Sequence, residues 1–78
     1  MQLCQLPKGS RALISKLSFE PEQAILERRL LLMGLRPGAT VEMVGKSPFG
    51  DPYVVRLKSQ SFGLRRELLR LIEVTPID

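Results

Sequence analysis

Apolar and polar residues alternate along two stretches of the chain, residues 40–46 and residues 53–58. Because successive side chains of a strand point to opposite faces, this alternation predicts two strands that each bury one face. Residues 47–52 separate the two stretches, so we expect the strands to pair as an antiparallel hairpin. The side chains expected on its buried face are Val41, Met43, Tyr53, Val55 and Leu57.

A helix is predicted from about residue 21 to residue 33. Pro21 suits the first helical position, and Gly34 can take the left-handed conformation that ends a helix. Apolar side chains recur at the three- and four-residue spacings of a helix face packed against a core. That face is predicted to comprise Ile25, Leu26, Leu30 and Met33.

Three more strands are predicted with less regular patterns. Residues 10–17 alternate before the helix, whereas residues 62–64 and residues 71–74 are short apolar pieces near the end of the chain. Between these two pieces, the sequence predicts a single helical turn near residues 66–70. Residues 75–78 are expected to form a frayed tail.

These elements together predict a mainly β fold. Residues 35–38, with Pro37 and Gly38, read as a tight turn between the helix and the next strand. Five short strands with one inserted helix favour a small, strongly bent antiparallel barrel, because a short sheet must curl to bury one face. A length of 78 residues leaves room for one domain, residues 1–78.

Composition argues against an enzyme and against a cofactor. The chain has no histidine, the most frequent general base near neutral pH, and the lone Cys4 cannot form an internal disulfide. The tripeptide Gly45-Lys46-Ser47 ends like a phosphate-binding loop, but position 40 is threonine and position 48 is proline. We therefore expect no catalytic residues and no bound nucleotide.

The N-terminal residues contain no apolar segment of the length that a signal peptide requires. The longest aliphatic run, residues 30–33, is far shorter than the ~20 residues of a membrane-spanning helix. A cytoplasmic location without membrane insertion is the resulting expectation.

The formal net charge of +4 favours an anionic partner, either nucleic acid or an acidic patch on another protein. Four aromatic residues are few for stacking on single-stranded nucleic acid, although a small basic barrel that binds nucleic acid stays an alternative. A third hypothesis, a metal carrier, would use Asp51 with Glu42 or Glu67. Solvated carboxylates are the favoured interpretation of these three residues.

Two features are candidates for contact with a protein partner. Residues 47–52 and Tyr53 place aromatic side chains beside two prolines, so Phe49 either docks on a partner or folds back onto the barrel. Two arginine pairs, residues 28–29 and residues 65–66, interrupt apolar segments. Arg29 is expected to pack its stem at the edge of the core, whereas the second pair is suited to a carboxylate of a partner.

Four segments of the chain together resemble one protein family. They are residues 29–38 (RLLLMGLRPG), residues 47–52 (SPFGDP), residues 64–66 (LRR) and residues 71–74 (LIEV). Their order resembles the ferrous iron transport protein A (FeoA) family, and the resemblance covers about residues 3 to 74.

The resemblance implies an SH3-like barrel in a bacterial cytoplasm, with a non-catalytic role in ferrous iron transport. The implied partner is the FeoB-type membrane permease, in particular its cytosolic GTP-binding region; stimulation of hydrolysis, assembly and gating all stay open as the mechanism. The residues that we expect at the contact are Arg28, Phe49, Asp51, Tyr53, Arg65 and Arg66. Those expected to shape the motif are Gly34, Pro37, Gly38, Pro48, Gly50 and Pro52.

Overall fold

A computed structural model describes residues 1–77 and shows a mainly β protein with two short helices. One antiparallel sheet contains all five strands, in the spatial order β4-β3-β2-β1-β5. The strands are β1 (Arg11–Leu17), β2 (Thr40–Lys46), β3 (Tyr53–Leu57), β4 (Gln60–Leu64) and β5 (Ile72–Pro76), and the helices are α1 (Ala24–Leu32) and α2 (Arg66–Leu69). The predicted fold class and element order are confirmed.

The central hairpin of β2 and β3 follows the predicted alternation. Met43 is paired with Val55, and Lys46 is paired with Tyr53 at the end of the hairpin, so residues 47–52 form the connecting loop. All five side chains predicted for the inner face are buried. A bulge at Val44 shifts the register between these two pairs, which increases the local bend.

The sheet curls so that its two edge strands share one core. Leu64 of β4 and Val74 of β5 both belong to the main apolar cluster, and α2, which connects these strands, adds the fully buried Leu69. This curvature gives the bent barrel that the short strands predict. Within the described residues, no helix combines the length and the apolar character needed to cross a membrane.

The helix region begins and ends where the sequence predicts. Pro21–Gln23 form a 3₁₀ turn that leads into α1, and Gly34 ends the helix in the left-handed region with φ of 94°. The predicted packed face is only partly correct, because Leu30 is buried whereas Ile25 is 75% exposed. With so short a helix, the chain turns back at Gly34, and the fully buried Leu35 occupies the core instead. Arg29, whose stem was expected to pack at the edge of the core, is exposed on α1.

Both ends of the described chain are more ordered than the sequence predicts. Leu3 and Leu6 are buried beside a short 3₁₀ turn that had no sequence signal. At the other end, Thr75 and Pro76 continue β5 opposite β1, so the expectation of a tail from residue 75 is wrong for these two residues. An edge strand accepts proline because one row of its N–H groups has no strand partner. Asp78 lies outside the described residues.

Candidate protein-docking surface

The loop between β2 and β3 is a hydrogen-bonded turn with Phe49 at its tip. Residues 47–50 form a β-turn in which the N–H of Gly50 donates to the carbonyl oxygen of Ser47 at 2.8 Å. Serine, proline and glycine at the first, second and fourth positions match the preferences of a type I turn. The N–H of Ser47 also donates to the carbonyl oxygen of Pro52 at 3.0 Å, and its hydroxyl to that of Asp51 at 2.6 Å.

Phe49 is 95% exposed, so the hypothesis that it folds back onto the barrel is wrong. The turn holds the ring in solvent because the hydrogen bonds of Ser47 close the loop below it. An exposed aromatic ring of this size on a fixed loop is a typical anchor for another protein.

The loop is attached to α2 through Asp51. Its Oδ1 accepts a hydrogen bond from the backbone N–H of Arg66 at 2.9 Å. This N–H belongs to the first turn of the helix, where backbone donors have no partner within the helix. Asp51 therefore caps α2 and, through the same bond, fixes the position of the loop relative to the helix.

Two cations lie close to the ring of Tyr53 at the end of the hairpin. The guanidinium carbon of Arg66 and the ammonium nitrogen of Lys46 each lie 5.9 Å from the centre of the Tyr53 ring, within the range of cation–π contacts. Hydrogen bonding to Tyr53 is the main cause of a raised pKa of the Arg66 guanidinium, and nearby Asp51 adds to the effect. Arginine is cationic at every physiological pH, so Arg66 places a positive charge beside the loop.

A shallow groove of about 290 Å³ separates the loop from α2. We call the residues around it the loop surface: Phe49, Gly50, Asp51, Arg66, Glu67 and Arg70. Two cations and two carboxylates make this surface formally neutral around one exposed aromatic ring. Such a mixture favours protein recognition by the ring, with charged groups that set orientation.

The structure brings together most, but not all, of the predicted contact residues. Phe49, Asp51 and Arg66 belong to the loop surface, and Tyr53 is the buried support beneath Arg66. Arg65 is exposed immediately before α2, and Arg28 is exposed on α1; neither lines the groove. These two arginines are separate from the site that the other four residues form.

The glycines and prolines of the predicted motif shape the turns. Gly50 and Gly38 have φ of 88° and 96°, which favours glycine at both positions. Pro48 is the second residue of the loop turn, Pro52 follows a cis peptide bond, and Pro37 precedes Gly38 in the turn before β2. Gly34 has a second reason for lacking a side chain, because a Cβ there would lie 2.8 Å from Cδ2 of Leu57.

Sequence reasoning missed three charged residues around Phe49 and Tyr53. Lys46 was considered for a phosphate loop but not as a neighbour of Tyr53, although its pairing with Tyr53 follows from the hairpin register. Glu67 was considered only as a metal ligand, and Arg70 was not considered. Arg70 could have been predicted, because it lies four residues after Arg66 and so shares one face of the predicted helical turn with it.

The metal-carrier hypothesis gains no support from the arrangement of acidic residues. Asp51 accepts the hydrogen bond of Arg66, and Glu42 forms an exposed ion pair with Arg56 at 3.2 Å. Among the described residues, no cluster of three or more histidine, cysteine, aspartate or glutamate side chains could hold a metal ion.

Comparison with protein families gives a match over nearly the whole chain. A family model described as the FeoA domain matches residues 1–76. A curated relative, the "Fe(2+) transport protein A/Fe(2+) transporter FeoB fusion protein" of Porphyromonas gingivalis, is 32% identical over 74 residues. The match covers 95% of this chain and 8% of that relative, so this chain corresponds to a small part of the fusion protein.

Solved structures of similar proteins support the same fold. Iron(II) transport protein A of Clostridium thermocellum is 35% identical with a TM-score of 0.87, and the match covers 99% of this chain and 46% of that chain. FeoA of Stenotrophomonas maltophilia, described as an SH3 domain protein complexed with zinc, is 29% identical with a TM-score of 0.84, and the match covers 96% and 89%. The expected SH3-like architecture is therefore confirmed.

Proposed function

We propose, because this chain belongs to the FeoA family, that it is a non-enzymatic accessory protein of ferrous iron uptake. In this proposal its partner is a FeoB-type permease, and the loop surface docks on the cytosolic GTP-binding region of that permease. The fusion protein of Porphyromonas gingivalis supports the choice of partner, because it carries the matched segment and a FeoB transporter in one chain. A fusion raises the effective concentration of two domains that work together.

The main observation that supports this docking site is that Phe49 is 95% exposed on a loop closed by the hydrogen bonds of Ser47. Burying an aromatic side chain that is exposed in the free protein contributes about 2–3 kcal/mol to binding. Because the turn is already fixed, little conformational entropy is lost when the ring is buried. Phe49 is therefore the expected energetic centre of the contact.

The charged residues around Phe49 supply orientation. Arg66 and Arg70 present cations on one side of the groove, and Glu67 presents a carboxylate between them in the sequence. A formally neutral surface gives an affinity that depends weakly on salt, because long-range attraction between net charges is absent. The location that follows for this chain is the cytoplasmic side of the membrane, beside its partner.

A binding titration tests this proposal. The labelled protein is titrated with the purified GTP-binding region of the cognate FeoB-type permease, without nucleotide, with GDP and with a non-hydrolysable GTP analogue. We expect saturable binding in at least one of these states. Phe49→Ala is expected to weaken it by tenfold or more and to leave the melting temperature unchanged, because the ring has few contacts to lose.

Ile25→Ala is the matched control, since Ile25 is an exposed aliphatic residue on α1 and lies outside the loop surface. We expect it to bind as the unmodified protein does. Absence of binding in all three nucleotide states would refute the choice of partner. Equal weakening by both substitutions would refute the loop surface as the docking site.

A further inference from the structure

A second, larger groove lies at the opposite end of the β2–β3 hairpin from Phe49. Its volume is about 1060 Å³, and it is bounded by the turn after α1, the beginning of β2 and the turn between β3 and β4. We call it the basic groove, after the charged residues that line it: Arg11, Arg36, Glu42, Arg56 and Lys58. None of these residues belongs to the loop surface.

Most of the net charge of the chain is concentrated in the basic groove. Four of the described residues that line it are cationic and one is acidic, which leaves three positive charges, compared with +4 for the whole sequence. The acidic residue, Glu42, is already paired with Arg56. A concave surface of one sign concentrates its field on a ligand of the opposite sign.

Lys58 lies in the turn between β3 and β4 and contributes its charge to the basic groove. Lys58 has φ of 57° in the two-residue turn between β3 and β4, where Leu57 is paired with Gln60. Glycine or asparagine takes this left-handed conformation at lower cost than lysine. Among the described residues, Lys58 is the one non-glycine residue with positive φ, and its charged side chain lines the groove.

The shape and the lining of the groove favour a peptide. Its volume far exceeds that of a single phosphate, and Met33, Pro37 and Leu57 add apolar surface between the cations. None of the described residues that line it is aromatic, so the stacking platforms typical of single-stranded nucleic acid are missing there.

We propose that the basic groove binds an extended acidic segment of a partner protein. Its carboxylates pair with Arg36 and Lys58, and its apolar side chains contact Met33 and Pro37. Arginine and lysine at an open groove form charge-assisted hydrogen bonds with carboxylates. This surface is separate from Phe49, so its existence does not depend on the docking of the loop surface.

The test uses three labelled probes of similar length at low and physiological salt. The first is a ten-residue peptide in which glutamate alternates with serine and valine, the second has glutamine in place of every glutamate, and the third is a single-stranded oligonucleotide. We expect the acidic peptide to bind, with amide shift changes in residues 33–42 and 56–60, and to bind at least tenfold more tightly than the glutamine peptide. Its affinity is expected to fall as salt rises.

The variant is the double substitution Arg36→Gln and Lys58→Asn, in which asparagine keeps the left-handed turn accessible. We expect this variant to bind the acidic peptide about tenfold more weakly, the effect of losing two exposed charge pairs. The matched control, Lys8→Gln with Lys16→Gln, removes the same charge from exposed residues outside the groove and is expected to weaken it less than threefold. Backbone amide spectra check that both variants are folded.

Three results would overturn the proposal. The first is an acidic peptide that does not bind at millimolar concentration. The second is an equal loss of affinity in the groove variant and in the control, which would indicate a response to overall charge. The third is an oligonucleotide that binds in the groove more tightly than the acidic peptide, because the partner would then be nucleic acid.

Discussion

The two ends of the β2–β3 hairpin present opposite kinds of surface. At the loop end, Asp51 and Arg66 are engaged in contacts that fix the loop, and the charges around Phe49 are balanced. At the groove end, the lining residues have three positive charges in excess around an open cavity. One hairpin can therefore carry a rigid apolar anchor at one end and an electrostatic site at the other, because each end is built by different neighbouring elements.

Truncation of Leu69, the buried residue of α2 next to the loop surface, is expected to lower the free energy of unfolding more than the other substitutions below. Leu69 of α2 is fully buried in the core, and α2 carries both Arg66 and Arg70. Leu69→Ala should lower the free energy of unfolding by about 2–5 kcal/mol, because it removes buried methyl groups and leaves a cavity. Urea denaturation measures this loss. Leu68→Ala, at a half-buried neighbour, should cost clearly less, and equal losses would contradict the description of α2 as held by Leu69.

The groove end depends on the close packing of Gly34 against Leu57. Gly34→Ala should cost about 1–3 kcal/mol of stability, because φ of 94° disfavours alanine and its Cβ would lie 2.8 Å from Leu57. Gly38→Ala is the matched control, since Gly38 has φ of 96° and no atom within 4 Å of such a Cβ. Thermal unfolding of the two variants separates backbone strain from the steric clash. An equal loss of stability in the two variants would show that Leu57 moves aside freely and would contradict the predicted clash.

Substitution of Asp51, which accepts a hydrogen bond from Arg66, tests whether this bond holds the loop in place. Asp51→Ala should cost about 1 kcal/mol, as the loss of a helix cap does, and should speed hydrogen exchange of the Arg66 amide. Asp51→Asn retains an acceptor oxygen, so it should lower the free energy of unfolding by less than Asp51→Ala does. If amide exchange at Arg66 is the same in both variants and in the unmodified protein, the loop is not held by this bond.

The exposed ion pair of the groove end should contribute least to stability. Glu42→Gln is expected to change the free energy of unfolding by less than about 1 kcal/mol, because solvent screens the attraction between Glu42 and Arg56. The same change should tighten binding of the acidic peptide, since it removes the one described carboxylate of the groove. Weaker peptide binding in Glu42→Gln would contradict the electrostatic account of this end.

The parts of the fold that were predictable are those governed by local pattern. Tyr53, Val55 and Leu57 alternate without interruption, so the hairpin and its buried face followed directly. Gly34 marked the end of the helix, but the buried face of α1 was wrong at Ile25 because tertiary packing, rather than periodicity, decides which side of a short helix is covered.

The site was only partly predictable because its contacts join distant residues. Phe49 and Asp51 were recognisable from the proline-bounded loop, yet no spacing rule connects Asp51 with the N–H of Arg66, fifteen residues later. The basic groove was missed altogether, since Arg11, Arg36 and Lys58 come from three separate segments that only the folded sheet brings together. Leu3 and Leu6 were missed for a similar reason, because a short 3₁₀ turn has no periodic pattern.

The most direct test of the docking proposal is to determine which end of the hairpin contacts the permease. The measurement is a titration of the isotope-labelled protein with the GTP-binding region of the cognate FeoB-type permease, followed through the backbone amide signals. The account predicts that signals of residues 47–52 and 66–70 shift or broaden and that those of residues 56–60 stay unchanged. Perturbation confined to residues 33–42 and 56–60, with an unaffected Phe49 loop, would contradict it.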